Sequence, residues 1–193
     1  MTVAIIIIDP EAWRRLRDVR LEALRESPAF FRHAYNEAVN QSEAQWRNMV
    51  RDQTHVMIEH DGLDVAILSI ENVQGDYGAT CWISGCWTRP SERGRGHLAS
   101  LFRYLDDHAA AEGWQAQGLA ALTHNLNAIA TYEHLGFKKK GKTRSDPSHP
   151  GWSYQRMFRL TPGFVFTRRS NVAICWRRFR FILPEIRRRI HRG

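Results

Sequence analysis

The residues of this chain with the densest chemical potential are Arg93-Gly-Arg-Gly-His-Leu98. Glycines at 94 and 96 permit a sharp turn and let a ligand approach the backbone. Behind them Leu98, Leu101, Phe102, Leu105 and Ala109 recur at the spacing of one helical face, and ahead of them the β-branched and aromatic run 79–88 reads as a strand. The order strand, glycine turn, helix leaves unpaired N–H groups at the positive end of a helix dipole, which attracts phosphate. A Walker loop, Gly-x-x-x-x-Gly-Lys-Ser/Thr, occurs nowhere in the chain, which argues against a P-loop nucleoside triphosphatase. Gly94-x-Gly96-x-x-Ala99 fits the dinucleotide fingerprint, yet the next strand, 118–123, carries no acid to hold a ribose.

The same residues resemble the acetyl-CoA loop of the GNAT N-acetyltransferases, Arg/Gln-x-x-Gly-x-Gly/Ala, whose backbone amides grip the CoA pyrophosphate. The likeness extends upstream through Trp87-Thr-Arg-Pro90-Ser-Glu-Arg93. Downstream, Asn127-Ala-Ile-Ala130-Thr-Tyr132-Glu-His-Leu-Gly136-Phe137 is similar to the family's second signature, an asparagine, a short helix with a tyrosine, then Gly-Phe. Arg20-Leu-Glu-Ala-Leu24, Ser27-Pro28 and Phe30 also look like many family members, so the resemblance covers roughly residues 1 to 160. The chain departs from the pattern at Leu98, where the family has Gly or Ala, and the helical stripe turns that side chain toward the helix core.

The resemblance implies an acetyl-CoA-dependent N-acetyltransferase in which a primary amine, of a small molecule or a peptide, attacks the thioester directly, with no metal. Trp87, Thr88, Arg93, Gly94, Arg95, Gly96, His97, Leu98, Asn127 and Tyr132 would contact the cofactor. The protein's tasks would be positioning, removal of the ammonium proton, oxyanion stabilisation and protonation of the leaving thiolate. Tyr132 falls where the family has its general acid, while by spacing alone it reads equally as a core tyrosine. Asn127 would contact the pantetheine or cap its helix. The base candidates are His124, with a reference pKa near 6.5, Glu71 and Asp76, each of which alone also reads as a solvated surface group; a relayed water could replace them. His97 is expected to face the CoA phosphate or solvent, and with no second histidine or cysteine at helical spacing it is not expected to hold a metal. Arg93, Arg95 and the run Lys138-Lys-Lys-x-Lys142 add positive charge, the last of these being read also as a soluble face.

The elements that must position these groups follow from the rest of the pattern. The run 3–8 reads as a buried strand, and Asp9-Pro10 opens a helix carrying Trp13, Leu16, Val19 and Leu24 that stops by Ser27-Pro28. Ser42-x-x-Gln45 is a capping box for a second helix with Trp46, Met49 and Val50. Between them 29–41 is aromatic and weakly periodic; in the family this region lines the acceptor site, as 144–152 would here. Asp61-Gly62 joins two alternating runs, 54–60 and 63–71, as a hairpin. Strands are further read at 118–123, from Gly136-Phe137 onward and at 152–160, with a short helix at 127–135. The expected fold is α/β (α+β): a mixed, mostly antiparallel six- to seven-stranded GNAT-like sheet, flanked by about four helices and splayed between strands 4 and 5.

Composition suits one packed domain with an appendage: 193 residues, 43% hydrophobic. The net charge of +8 resides beyond residue 160, where nine arginines face one glutamate. The division expected is 1–160 for the acetyltransferase-like domain and 161–193 for a basic extension. In that extension Val172, Cys175, Trp176, Phe179, Ile182, Leu183, Ile186 and Ile190 form an apolar stripe broken by Pro184. Such a segment packs on its own or another subunit's core, the favoured reading, or meets an anionic membrane or nucleic acid. Two alternatives therefore stand beside the enzyme: a CoA-binding regulatory or inactive module, and a tail-driven membrane- or nucleic-acid-associated protein; a homodimer is a further option. No apolar run approaches the roughly 20 residues of a membrane span, and a cytoplasmic location is the default expectation. Cys81, Cys86 and Cys175 are expected as free thiols, with Cys81 and Cys86 on opposite faces of their strand because five is odd.

Overall fold

A computed structural model describes residues 2–31 and 33–164. Chain contacts separate Met1–Thr161 from Pro162–Gly193, and the account below is of the first unit. The amphipathic stripe of 172–190 lies outside the described residues.

Strand β1 (Val3–Ile7) passes through a 3-10 turn at Pro10–Ala12 into helix α1 (Trp13–Glu26). The Asp9 carboxylate accepts from the Glu11 and Ala12 amides at 2.8 and 3.0 Å, and Pro10 supplies the fixed φ of a first helical position. A short helix α2 (Tyr35–Val39) lies within the weakly periodic stretch. Helix α3 (Glu43–Asp52) opens on the capping box, with Ser42 Oγ accepting from the Gln45 amide at 3.3 Å and Gln45 Oε1 from the Ser42 amide at 2.7 Å. Strands β2 (Thr54–His60) and β3 (Leu63–Glu71) meet at Asp61-Gly62, whose φ values of 50° and 80° are those of a tight hairpin turn. Then follow β4 (Cys81–Thr88), α4 (His97–Glu112), β5 (Ala116–Leu122), α5 (Leu126–His134), β6 (Lys138–Ser145) and β7 (Ser153–Leu160). Five α-helices among the described residues thus flank the sheet, α2 being the one the periodicity did not disclose. No described helix is long and apolar enough to cross a membrane.

The seven strands lie in the order β1-β2-β3-β4-β5-β7-β6, antiparallel except for β4 and β5. Side chains alternate across the sheet and feed two cores. Val56, Ile58, Leu68 and Ile70 meet Leu101, Phe102 and Leu105 of α4 on one face, while Met57, Ile67 and Trp87 meet Leu16, Leu24 and Trp46 on the other. β1 is an edge strand, so the reading of 3–8 as buried is corrected: Val3, Ile5 and Ile7 are 54%, 41% and 54% exposed, and Ile6 packs inward against the α1–α3 core.

The detail that prepares the site is in β4. It pairs with β5 only over Cys81–Ile83 against Gln117–Leu119, and beyond Ile83 the parallel strands part. In the parted segment the register to β3 shifts and Gly85 takes a φ of +62°. A Cβ there would stand 2.5 Å from Arg20 Nη1, so the position needs glycine twice over. This bulge also corrects the parity argument for the cysteines. One extra residue flips the alternation, and Cys81 and Cys86 both face the α4–α5 core.

Candidate active site

The glycine turn sits where β4 hands over to α4. Gly94 and Gly96 hold left-handed φ values of 77° and 81°, and Gly96 is the residue before the first helical turn. The first intrahelical donor is Ser100, to Gly96 O at 2.9 Å, so the amides of His97, Leu98 and Ala99 have no intrahelical acceptor. Free amides at a sixteen-residue helix's positive end can cradle an anion. The Leu98 side chain packs against the α4–α5 core, leaving its amide to the turn.

The side chains around the cradle are arranged differently from their expected roles. Arg93 donates to Glu26 Oε2 at 2.7 Å and to Thr88 O at 3.0 Å, which spends its charge on the end of α1. Arg95 lies 3.4 Å from Glu92 and stays half exposed. Trp87 is buried in the α1–α3 core and donates from Nε1 to Glu26 at 3.0 Å, so its ring is closed to a ligand. His97 is corrected outright. It faces neither solvent nor the cradle, being 6% exposed, with Nε2 at 3.0 Å from Glu92 Oε2. The same oxygen lies 2.9 Å from Nδ1 of His60, at the end of β2. These two contacts hold the Glu92 carboxyl below its usual range, His97 contributing most.

Where β4 and β5 part, Tyr132 of α5 approaches from the α4 side. It is 8% exposed, set edge-on to Phe102 and Phe137 at 6.2 and 6.1 Å, and its side chain hydrogen-bonds with that of Cys86 just past the bulge. Burial above all, then the neighbouring thiol, pushes the phenol well above its ordinary pKa of 10. Burial likewise pushes Cys86 up to about 11. Both groups therefore keep their protons at neutral pH. Tyr132 is thus a core residue whose protonated hydroxyl meets Cys86 at the parted strands.

On the α1 side stands an aromatic wall drawn from three segments. His124, after β5, has Nε2 at 2.9 Å from Ala29 O, stacks on Phe30 at 5.8 Å and meets Trp152 edge-on at 5.6 Å. Trp152 in turn stacks on His149 at 4.9 Å. The contact to a carbonyl fixes the proton of neutral His124 on Nε2 and leaves Nδ1 as its acceptor. Next to the bulge, Arg20 Nη1 is sealed from solvent without a hydrogen-bond partner among the described residues, its guanidinium 5.5 Å from the Phe31 ring. Burial lowers the pKa of that guanidinium.

The other candidates lie apart. Glu71 pairs with Trp82, four residues of strand, or about 13 Å, from Cys86. Asp76 forms an ion pair with Arg156 of β7. The cap of α5 is Asn125, whose Oδ1 accepts from the Ala128 amide at 3.1 Å, which corrects the capping role offered to Asn127; Asn127 is exposed within the first turn. Lys138, Lys139, Lys140 and Lys142 form an exposed edge on β6. Sequence reasoning missed Arg20, His60, Glu92 and the thiol partner of Tyr132. Only His97, a polar residue beside an apolar stripe, signalled that something buried had to receive it.

The sequence matches the Acetyltransferase (GNAT) family over residues 16–137. No curated protein matches the chain. Among solved structures it is similar to a GNAT-family acetyltransferase from Streptococcus pneumoniae, with a TM-score of 0.68, 15% identity, and coverage of 82% of this chain and 99% of that one. A putative acetyltransferase from Salmonella typhimurium, solved with its cofactor acetyl-CoA, gives 0.64, 14%, 86% and 98% for the same measures. The ribosomal-protein-S18-alanine N-acetyltransferase from Escherichia coli gives 0.61, 16%, 86% and 100%. At such identities the likeness is one of fold.

Proposed function

The chain belongs to the acetyltransferase (GNAT) family, and from that premise we propose that it transfers an acetyl group from acetyl-CoA to a primary amine by direct attack on the thioester. The observation that carries this reading is the pairing of an open amide cradle at Gly94–Leu98 with a buried, protonated Tyr132 beside the parted β4 and β5. The amides of His97, Leu98 and Ala99 bind the pyrophosphate, and Arg95 adds charge at the rim. The gap between β4 and β5 offers β4's unpaired backbone edge to the pantetheine arm. Acetyl-CoA supplies the activated acetyl thioester. Tyr132 gives its proton to the departing sulfur, a transfer that its raised pKa keeps loaded at pH 7. His124 Nδ1, or a water it orders, takes the proton of the incoming ammonium.

The acceptor enters from the α1 side, between the Phe30–His124–Trp152 wall and Arg20. A buried guanidinium without a partner is costly, and an anion completes it. Because Arg20 Nη1 is packed against the β4 bulge, the reading requires that substrate entry opens this contact and that the acceptor amine carries a carboxylate to meet the guanidinium. Calorimetric titration with acetyl-CoA, followed by free-thiol release over amino acids and their decarboxylated counterparts, tests both parts. Saturable donor binding and turnover restricted to the carboxylate-bearing amines is the expected result. Equal turnover of both sets would remove the acceptor assignment and leave the transferase, whereas absence of donor binding up to millimolar concentration would remove the transferase itself.

A further inference from the structure

We propose that His60, Glu92 and His97 form a divalent-cation site of zinc chemistry at the base of the cofactor turn. Their ligating atoms all lie within 4.8 Å of one another, and among the described residues no other three His, Cys, Asp or Glu side chains converge in this way. The three side chains are 12%, 14% and 7% exposed, so the cluster is shielded yet reachable.

The geometry is that of a site collapsed around its own hydrogen bonds. Two imidazole nitrogens point at one carboxylate oxygen, Glu92 Oε2, from 2.9 and 3.0 Å. Zinc ligands at about 2.0–2.2 Å in a tetrahedron stand about 3.4 Å apart, so the two His–Glu92 contacts open by about half an ångström each to admit the ion, while the histidine nitrogens already lie within 4.8 Å of each other. Water then takes the fourth position. The two nitrogens that now meet Glu92 must be unprotonated to ligate, and each neutral ring does this by carrying its one proton on the opposite nitrogen. For His60 that nitrogen is Nε2, which faces the Asp61 carboxylate at 3.8 Å, beyond direct hydrogen-bond reach. Arg95 lies against the other oxygen, Glu92 Oε1, leaving Oε2 for the ion. Two nitrogens and one oxygen suit zinc and disfavour magnesium or calcium.

Such an ion ties together the end of β2, the Pro90–Glu92 turn and the first residue of α4, that is, both flanks of the Gly94–Gly96 cradle. It would set the turn's geometry before any ligand arrives.

The test uses the whole chain, stripped with a chelator and titrated with zinc chloride by calorimetry, with cobalt(II) as a spectroscopic probe. One equivalent binding at micromolar affinity or tighter is expected, with the intense visible absorption of four-coordinate cobalt and a melting midpoint that rises with zinc concentration. Replacing one ligand, as His60→Asn, Glu92→Gln or His97→Gln, weakens zinc binding at least tenfold and removes the cobalt spectrum, while His108→Ala, on the exposed face of α4, changes neither. Circular dichroism identifies any variant that has not folded, and the remaining two decide. Zinc binding that survives all three substitutions, or that is weaker than about 100 µM in the parent, would mean a hydrogen-bonded triad and nothing more. Neither readout requires acetyl transfer, so this result stands apart from that of the amine panel.

Discussion

In the proposed reading the pyrophosphate end of the donor half occupies one uninterrupted string, Arg93–Leu98, whereas the proposed acceptor half joins Ala29 and Phe30 to His124 across 95 residues of sequence and adds Trp152 from before β7. The donor half recognises with backbone: two left-handed glycines and a helix start, all decided within six residues. The acceptor half recognises with side chains that share no local pattern and are held in place by stacking. On this reading the two halves should fail independently, so that a cofactor site can be kept while the substrate site is redrawn.

Substitutions that separate the halves sharpen this contrast. Gly96→Glu places a side chain at a φ of 81° and a negative charge in the anion cradle, and calorimetry should find acetyl-CoA binding abolished. Tyr132→Phe keeps the ring in its core position and removes the proton, so kcat should fall about 10³-fold with acetyl-CoA affinity nearly unchanged. A comparable loss of affinity would make Tyr132 a packing residue only.

The acceptor side has its own pH signature beneath it. His55 is 1% exposed, with Nδ1 at 2.8 Å from Ser69 Oγ and Nε2 at 3.2 Å from Met49 O, and burial above all lowers its pKa to about 4. The unfolded chain binds a proton from about pH 6.5 downward, and the folded chain only near 4. Stability should therefore fall as pH drops through that window, by on the order of 3 kcal/mol, read from urea midpoints. The slope should flatten in His55→Gln. His124→Ala removes the proposed proton acceptor and gives the smallest effect, about 10²-fold in kcat with donor binding intact. Weakened donor binding in that variant would break the independence of the halves.

How much of this was legible beforehand follows the same division. Asp9-Pro10, Ser42-x-x-Gln45 and Asp61-Gly62 announce their elements because caps and tight turns are settled by neighbours. The cradle was equally plain, since its glycines and its helix stripe are adjacent. The exposed side of β1 was not, because five apolar residues look the same at an edge as at a centre, and only strand order decides. The cysteine parity failed for a related reason: a bulge at Gly85 has no marker beyond the glycine itself.

By itself the sequence determined what depends on contiguous residues: the turn before α4, the helix faces, the hairpin, and through the two signatures the family. The tertiary structure alone decided what depends on distance through space. It brought His60 to His97 across the hairpin and set a thiol against the Tyr132 phenol. It also left the Arg20 guanidinium without a described partner and stacked Phe30 on His124. Burial and pairing are properties of the closed core, and charges that are ordinary in the chain acquire their chemistry only where the core removes water from them.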